Sequence, residues 1–326
     1  MNKENNFSLF NLGCLVNLRI RMWSGRKMLT RGDLQRIGYD PNKLPSDIVN
    51  LGRKLMVPKS ELHALTHIDQ KSRNILEKWS MPFGISNAHF VPAKMLPTVE
   101  AQLKELKEEF FEKVDSLIAR FDDLVDTVKQ AHPDFWEKCL RNHYPANPKA
   151  LRSKFQFNWY TFKISGIDTK ETSVSEAMTE HQLQIEKNQE LRKQMQEEVN
   201  RFVEDYVITM RQETVKFCEL VQARVNGTAF GDETESKILT PRSIGCFRKY
   251  IDKFKNMNIF GDKEIEKMLD EFKNQFLNSG VGPKDFESSN VKAGVTMALE
   301  AIRQKAATET ESAGQFIGEL KRRIVL

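Results

Sequence analysis

Two long stretches of the chain carry apolar residues three and four positions apart, and nothing else in the sequence limits the fold as tightly. The first runs Val99, Leu103, Leu106, Phe110, Val114, Leu117, Phe121, Leu124 and Val128. The second runs Met178, His181, Ile185, Leu191, Met195, Val199, Phe202 and Tyr206, then Phe217, Val221 and Val225. A helix of 3.6 residues per turn gathers such positions on one side. At 1.5 Å per residue these would be rods on the order of 45 to 75 Å long. Helices of that length belong to bundles and coiled coils, which points to an interaction protein more than to an enzyme.

Shorter patterns surround them. Val16, Leu18, Ile20 and Met22 alternate with Asn17, Arg19, Arg21 and Trp23, the period of a half-buried strand over residues 15–23. Phe83–Val91 reads as a strand or extended loop bent at Gly84, and residues 154–164 as an aromatic strand, with Phe155, Phe157 and Trp159 on one face. Ser24–Lys27 reads as a turn, Thr30–Ile37 as a short helix, Leu44–Gly52 as another, and Glu61–Trp79 as a longer one. The first long helix ends at His132-Pro133, because proline disfavours helix at the residue before it. The second runs from about Ser173 to Arg224, with Ser173 or Ser175 as its cap and Asn226-Gly227 as its exit. Further helices open at Thr240-Pro241, Phe260-Gly261-Asp262 and Ser288-Ser289-Asn290. The expected fold is therefore mainly α: long antiparallel helices in a coiled-coil-like bundle, with a small two- or three-stranded sheet in an N-terminal head. Order along the chain suggests a basic α+β head over residues 1–96, two long helices with the aromatic strand between them over 97–225, and a helical region over 226–326.

Charge is distributed unevenly. Up to Lys94 there are fifteen basic and seven acidic residues, while the whole chain carries only +5. The head thus holds the entire basic excess, a hint of an anionic partner set against the commoner meaning of a solvated face. Arg19, Arg21, Arg26 and Lys27, with Trp23 among them, form a basic strand edge that could contact nucleic acid. Leu191, Met195, Val199, Phe202, Tyr206, Phe217 and Val221 form the stripe through which the second long helix would meet a partner or a second copy.

Catalytic and metal-binding patterns are weak. His63 and His67 lie four apart on one helix, but Ala64 stands where a metalloprotease motif has glutamate. Cys139 and His143 could pair as thiol and base, in a proline-broken segment with no third partner. Gly25-Arg26-Lys27 lacks the GxxxxGK[ST] spacing that wraps phosphates. The aromatic strand with Arg152, Lys154 and Lys163 suggests a base-stacking platform, although aromatics at period two usually bury. No catalytic, cofactor or metal residue is assigned. Four scattered cysteines without a CxxC pair fit reduced thiols, no apolar run reaches a membrane span, and the polar Met1–Phe10 does not read as a signal peptide. The expectation is a cytoplasmic protein.

The N-terminal half carries a more specific pattern. Val16-Asn17-Leu18-Arg19-Ile20 leads to Trp23-Ser24-Gly25-Arg26-Lys27 and Asp33-Leu34; Leu44-Pro45 precedes Leu51-Gly52-Arg53-Lys54-Leu55 and Pro58; Phe90-Val91-Pro92 precedes the long helix that ends before Trp136. This order resembles the bacterial and phage family called domain of unknown function 3150, over about residues 14–165. The family's usual Gly-Gly-Tyr-Ala-Val-Pro stands here as Asn87-Ala88-His89-Phe90-Val91-Pro92, without the glycine pair. The resemblance brings no established catalytic residue. It implies a gene carried on phages or mobile elements beside a MoxR-type AAA+ ATPase and a von Willebrand factor A protein. A non-enzymatic adaptor of that ATPase is then the first expectation, and a nucleic-acid-binding accessory protein the alternative.

Overall fold

The computed structural model describes residues 7–45, 47–85, 87–145, 147–164, 178–228, 239–278, 280–307 and 311–325. In chain order the strands and helices are β1 (Phe7–Ser8), β2 (Gly13–Arg21), β3 (Arg26–Met28), α1 (Arg31–Arg36), β4 (Arg53–Leu55), α2 (Ser60–Trp79), β5 (Met81–Phe83), β6 (Ala88–Pro92), α3 (Leu96–Ala119), α4 (Phe121–Ala131), α5 (Pro133–Phe135), β7 (Gln156–Phe162), α6 (Met178–Asn226), α7 (Pro241–Met257), α8 (Lys263–Phe276), α9 (Ser289–Ala306), α10 (Glu311–Arg323) and β8 (Ile324–Val325). Helix predominates, and a small antiparallel sheet sits in the N-terminal part, as the periodicities predict. Among the described residues no helix is long and apolar enough to cross a membrane.

The chain divides into two compact units built from interleaved segments. The first takes residues 1–16, 79–96 and 161–326; the second takes 17–78 and 97–160. In the first unit, α6 is the central rod. Its 49 residues span roughly 70 Å at 1.5 Å each. Gly227 takes a left-handed φ of 68° and ends it at the expected place. The expected caps Ser173 and Ser175, the strand end at Gly166–Asp168, Ser46 beside Pro45, and the side chains of Met178, His181 and Ile185 lie outside the described residues. Helices α7, α9 and α10 pack on α6, and α8 packs on α7 and α9. The buried face of α6 is Val199, Phe202, Val203, Tyr206, Val207, Met210, Phe217, Cys218, Val221 and Val225. Phe202 meets Phe83 and Phe90 with ring centres at 4.9 and 5.2 Å. Phe217 stacks on Tyr250 at 4.3 Å. The Tyr206 hydroxyl donates to the Met257 carbonyl at 2.6 Å, which satisfies the one polar atom this ring takes into the core. Arg211, 3% exposed, is neutralised by Asp262 at 2.8 Å. Strands β5 and β6 form a hairpin, β6 pairs with Gly13–Val16 of β2, and β1 pairs in parallel with β8.

In the second unit the rest of β2 shares its sheet with β7. Helix α3 covers the apolar face: Phe110 packs on Phe157 at 5.6 Å and on Phe155 at 6.3 Å. Four sequence expectations change. The first long helix stops at Arg120, whose φ and ψ of −99° and 5° leave the helical range. No proline or glycine marks the break. Its effect is to turn Phe121, 1% exposed, against Trp23 at 5.8 Å and Tyr144 at 6.2 Å. Residues 44–52 form no helix where described: a single turn closes where the Val49 amide donates to the Pro45 carbonyl at 3.0 Å, and the Arg31 guanidinium ties down the carbonyls of Pro41 (2.8 Å) and Leu44 (3.1 Å) ahead of it. The turn over Ser24–Lys27 is shorter than expected, since Arg26 already belongs to β3, which pairs with β4. The strand or extended loop expected at 83–91, bent at Gly84, is a hairpin of two strands, β5 and β6, whose turn includes Asn87 at φ 54°.

Candidate functional site

Two of the expected nucleic-acid residues, Trp23 and Arg26, line a cavity in the second unit. Chain direction changes there at Gly25, which is buried and takes φ +60°. A Cβ at that position would lie 3.1 Å from the Leu62 side chain and 3.3 Å from Val57, so a larger residue would close the space as well as strain the turn. The Gly25 carbonyl accepts from the Met56 amide at 2.7 Å and starts the β3–β4 ribbon. Arg26 then stands opposite Leu55, Lys27 opposite Lys54 and Met28 opposite Arg53. Side chains alternate across such a ribbon. Arg26 and Leu55 therefore share one face, while Lys27 and Lys54 share the other.

The cavity lies where Trp23, the ribbon and the start of α2 meet, with a volume of about 400 Å³. Met22, Trp23, Leu55, Val57, Leu62 and Leu65 form its apolar walls, and Arg26, Lys59, His63, Ser24 and Thr66 its polar ones; among the described residues no carboxylate lines it. Arg26, Lys59 and His63 are exposed and take no hydrogen-bond or ion-pair partner through their side chains among the described residues. The same holds for Arg19 and Arg21 on β2 and for Lys27 on β3. The alternation of β2 explains the two arginines. Val16 is fully buried and Leu18 and Ile20 half-buried, which turns Arg19 and Arg21 outward.

The other face of the ribbon is anchored by a buried ion pair. Lys27 and Lys54 are like charges directly across from one another, which is unfavourable unless one of them is neutralised. Lys54 Nζ donates to Asp33 Oδ2 and to the Cys139 carbonyl, both at 2.8 Å. Asp33 also closes the capping box of α1, accepting from the Thr30 amide and hydroxyl at 2.9 Å each. The Cys139 carbonyl belongs to a π-turn over Trp136–Leu140, and Arg36 takes the neighbouring Lys138 carbonyl at 3.2 Å. Burial alone would raise the Asp33 carboxyl; the hydrogen bonds from Lys54 and Thr30 outweigh it and hold the group at about 2.

Other expected sites are placed differently. Burial and the Asp33 charge raise the Cys139 thiol, which keeps it protonated and a poor nucleophile; burial and then the charges of Lys54 and Lys27 lower His143. His63 and His67 are exposed on α2, and no group of three metal-ligating side chains gathers among the described residues. The aromatic strand is mainly core: Phe155 and Phe157 are 3% and 0% exposed, Arg152 pairs with Asp115 at 2.8 Å, and Lys107 lies over Trp159 at 5.5 Å. On α6, Leu191 is 47% exposed and Met195 half-buried, while Val199, Phe202, Tyr206, Phe217 and Val221 are buried in the chain's own core. From Val199 onward the expected interface stripe is covered from within.

Sequence spacing did not reveal Lys59 as a neighbour of Trp23. One signal was available: a lysine just before Ser60, at the positive end of the α2 dipole, where an acidic residue would be favoured.

Fold and site together define a helix-rich protein of two units, with an unneutralised basic, aromatic cavity in one of them. The chain belongs to the family described as protein of unknown function (DUF3150), whose model matches residues 11–278. No curated protein and no solved structure matches it.

Proposed function

We propose that the protein binds nucleic acid through its second unit and acts as an accessory factor. The observation that carries this reading is the set of Arg19, Arg21, Arg26, Lys27 and Lys59, exposed and without ion-pair partners among the described residues, two of them lining a cavity with a tryptophan in its wall. Cations left without carboxylate partners keep their full attraction for phosphate, and their counter-ions are released on binding. Affinity for a single strand is measured between about 50 and 200 mM salt; five phosphate contacts predict a loss on the order of 100-fold. Absence of binding at the low-salt end refutes this reading.

A second reading rests on α6. Among its described side chains none before Val199 is buried, and Leu191 is the large apolar residue most exposed there. Such an arm suits docking to a MoxR-type AAA+ ATPase and its von Willebrand factor A companion, or pairing with a second copy in a coiled-coil-like antiparallel bundle. Cytoplasmic residence goes with either reading. Leu191→Glu should abolish co-elution with the purified ATPase, or shift the mass measured by light scattering. If it does neither, the arm is not the contact.

A further inference from the structure

Resting on the nucleic-acid reading above, we propose that the cavity bounded by Trp23, the β3–β4 ribbon and the start of α2 holds one nucleotide, with its base against Trp23 and its phosphate at Arg26 and Lys59. Its volume of about 400 Å³ falls in the range of small-ligand sites, roughly 300–1,000 Å³. Its walls are of two kinds, and one ligand must suit both. Leu55, Val57, Leu62 and the indole offer nothing to an inorganic phosphate, and Arg26 and Lys59 offer nothing to a purely apolar guest. A planar ring joined to an anion uses all of them. The Trp23 ring is held at 68° to Phe121 with centres 5.8 Å apart, so its position is fixed before a ligand arrives. Base stacking on an aromatic ring tolerates every base, and a cation beside it supplies the phosphate contact. Arg19 and Arg21, on the strand that leads to the cavity, would take the neighbouring phosphates when the nucleotide belongs to a strand.

The test uses the full chain at fixed salt, titrated with an oligothymidylate, its duplex with oligoadenylate, thymidine monophosphate, inorganic phosphate and poly-glutamate. Two variants accompany it. Trp23→Ala removes the ring. Thr66→Trp fills the cavity from an exposed helical position whose hydroxyl bonds only its own helix, at the Leu62 carbonyl, so folding is retained. Each should weaken single-strand binding about tenfold while leaving duplex binding unchanged. The wild type should prefer the single strand to the duplex, and poly-glutamate should compete poorly. Competition by thymidine monophosphate but not by phosphate shows that a free nucleotide suffices; without it, loss of single-strand binding in both variants shows that the nucleotide is taken within a strand. Unchanged single-strand binding by folded Thr66→Trp overturns the cavity proposal and leaves the phosphate-contact reading standing. Binding of thymidine monophosphate with no binding of any strand upholds the cavity and overturns that reading. Poly-glutamate binding as tight as the oligothymidylate, or no binding by any ligand, overturns both.

Discussion

The helices from α6 to α10 and the segment from β2 to the start of α2 use positive charge in opposite ways. In the helices, many cations face carboxylates across neighbouring elements: Lys253 with Glu213 and Lys255 with Asp270 at 2.9 Å, Lys273 with Asp252 and Lys321 with Glu204 at 2.5 Å, and Lys305 with Glu264. Between residues 19 and 59, Arg19, Arg21, Arg26, Lys27, Arg53 and Lys59 have no such partner among the described residues, while Lys54 and Arg36 both turn to Asp33. Surface pairs of the first kind contribute little to stability, so their value lies in leaving that surface without a net field. Unpaired cations of the second kind raise the local potential. The lesson is that net charge understated the chain: +5 overall conceals one neutralised region and one that is not.

The sharpest way to break this comparison is to show that the helical region is not closed on itself. Phe202→Ala, at 5% exposure between Phe83 and Phe90, should cost about 3–5 kcal/mol in urea unfolding with no change in oligomeric mass. A mass change with little loss of stability would make the stripe an intermolecular one. Next comes Lys54→Met, which leaves Asp33 buried without its partner and should cost about 3 kcal/mol, with the second unit more susceptible to proteolysis. Loss of stability confined to the first unit would contradict the anchor.

Acid should act on the same anchor. The folded Asp33 carboxyl lies at about 2 against an ordinary 3.8. A group held lower in the folded state stabilises above the ordinary value and loses that contribution as pH falls from about 4 to 2. At about 1.36 kcal/mol per pH unit the ceiling is about 2 kcal/mol, and because Asp33 lies just beneath the surface, solvent screening reduces the expected share to about 1. Asp33→Asn should flatten that limb of the stability–pH curve; an unaltered limb would place the acid sensitivity elsewhere. The smallest effect on stability, and the most selective, is expected from charge reversal. Arg19→Glu with Arg21→Glu should leave the urea midpoint where it is and lower single-strand affinity at least tenfold, whereas Lys255→Glu with Lys273→Glu should leave affinity unchanged. Equal losses from both pairs would erase the distinction between the regions.

Local periodicity carried much of the fold. Alternation placed β2 and β7, the apolar stripes placed α3 and α6, and Thr240-Pro241 placed α7, whose cap Thr240 accepts from the Ser243 amide at 3.1 Å. The β3–β4 ribbon was not legible, because each strand has three residues and its partner lies some twenty-five positions away, so no alternation accumulates. The π-turn at Trp136–Leu140 and the break at Arg120 have no proline or glycine to announce them. The candidate site was half legible for the same reason. Trp23 and Arg26 lie three positions apart and were read together, but Lys59, Leu62 and His63 reach them only through the fold.

The pairing of β1 with β8 sets a timetable for synthesis. Residues 17–160 already contain every segment of the second unit, so it can close while α6 is still being translated. Phe7 must wait for Ile324 before its strand finds a neighbour. Until then the N-terminal strand is an open edge and the apolar face of α6 is incompletely covered, so a chain released early would expose both. Closure between such distant residues carries a high entropic cost and comes late, so truncation near Arg323 should harm folding yield far more than the loss of two short strands implies.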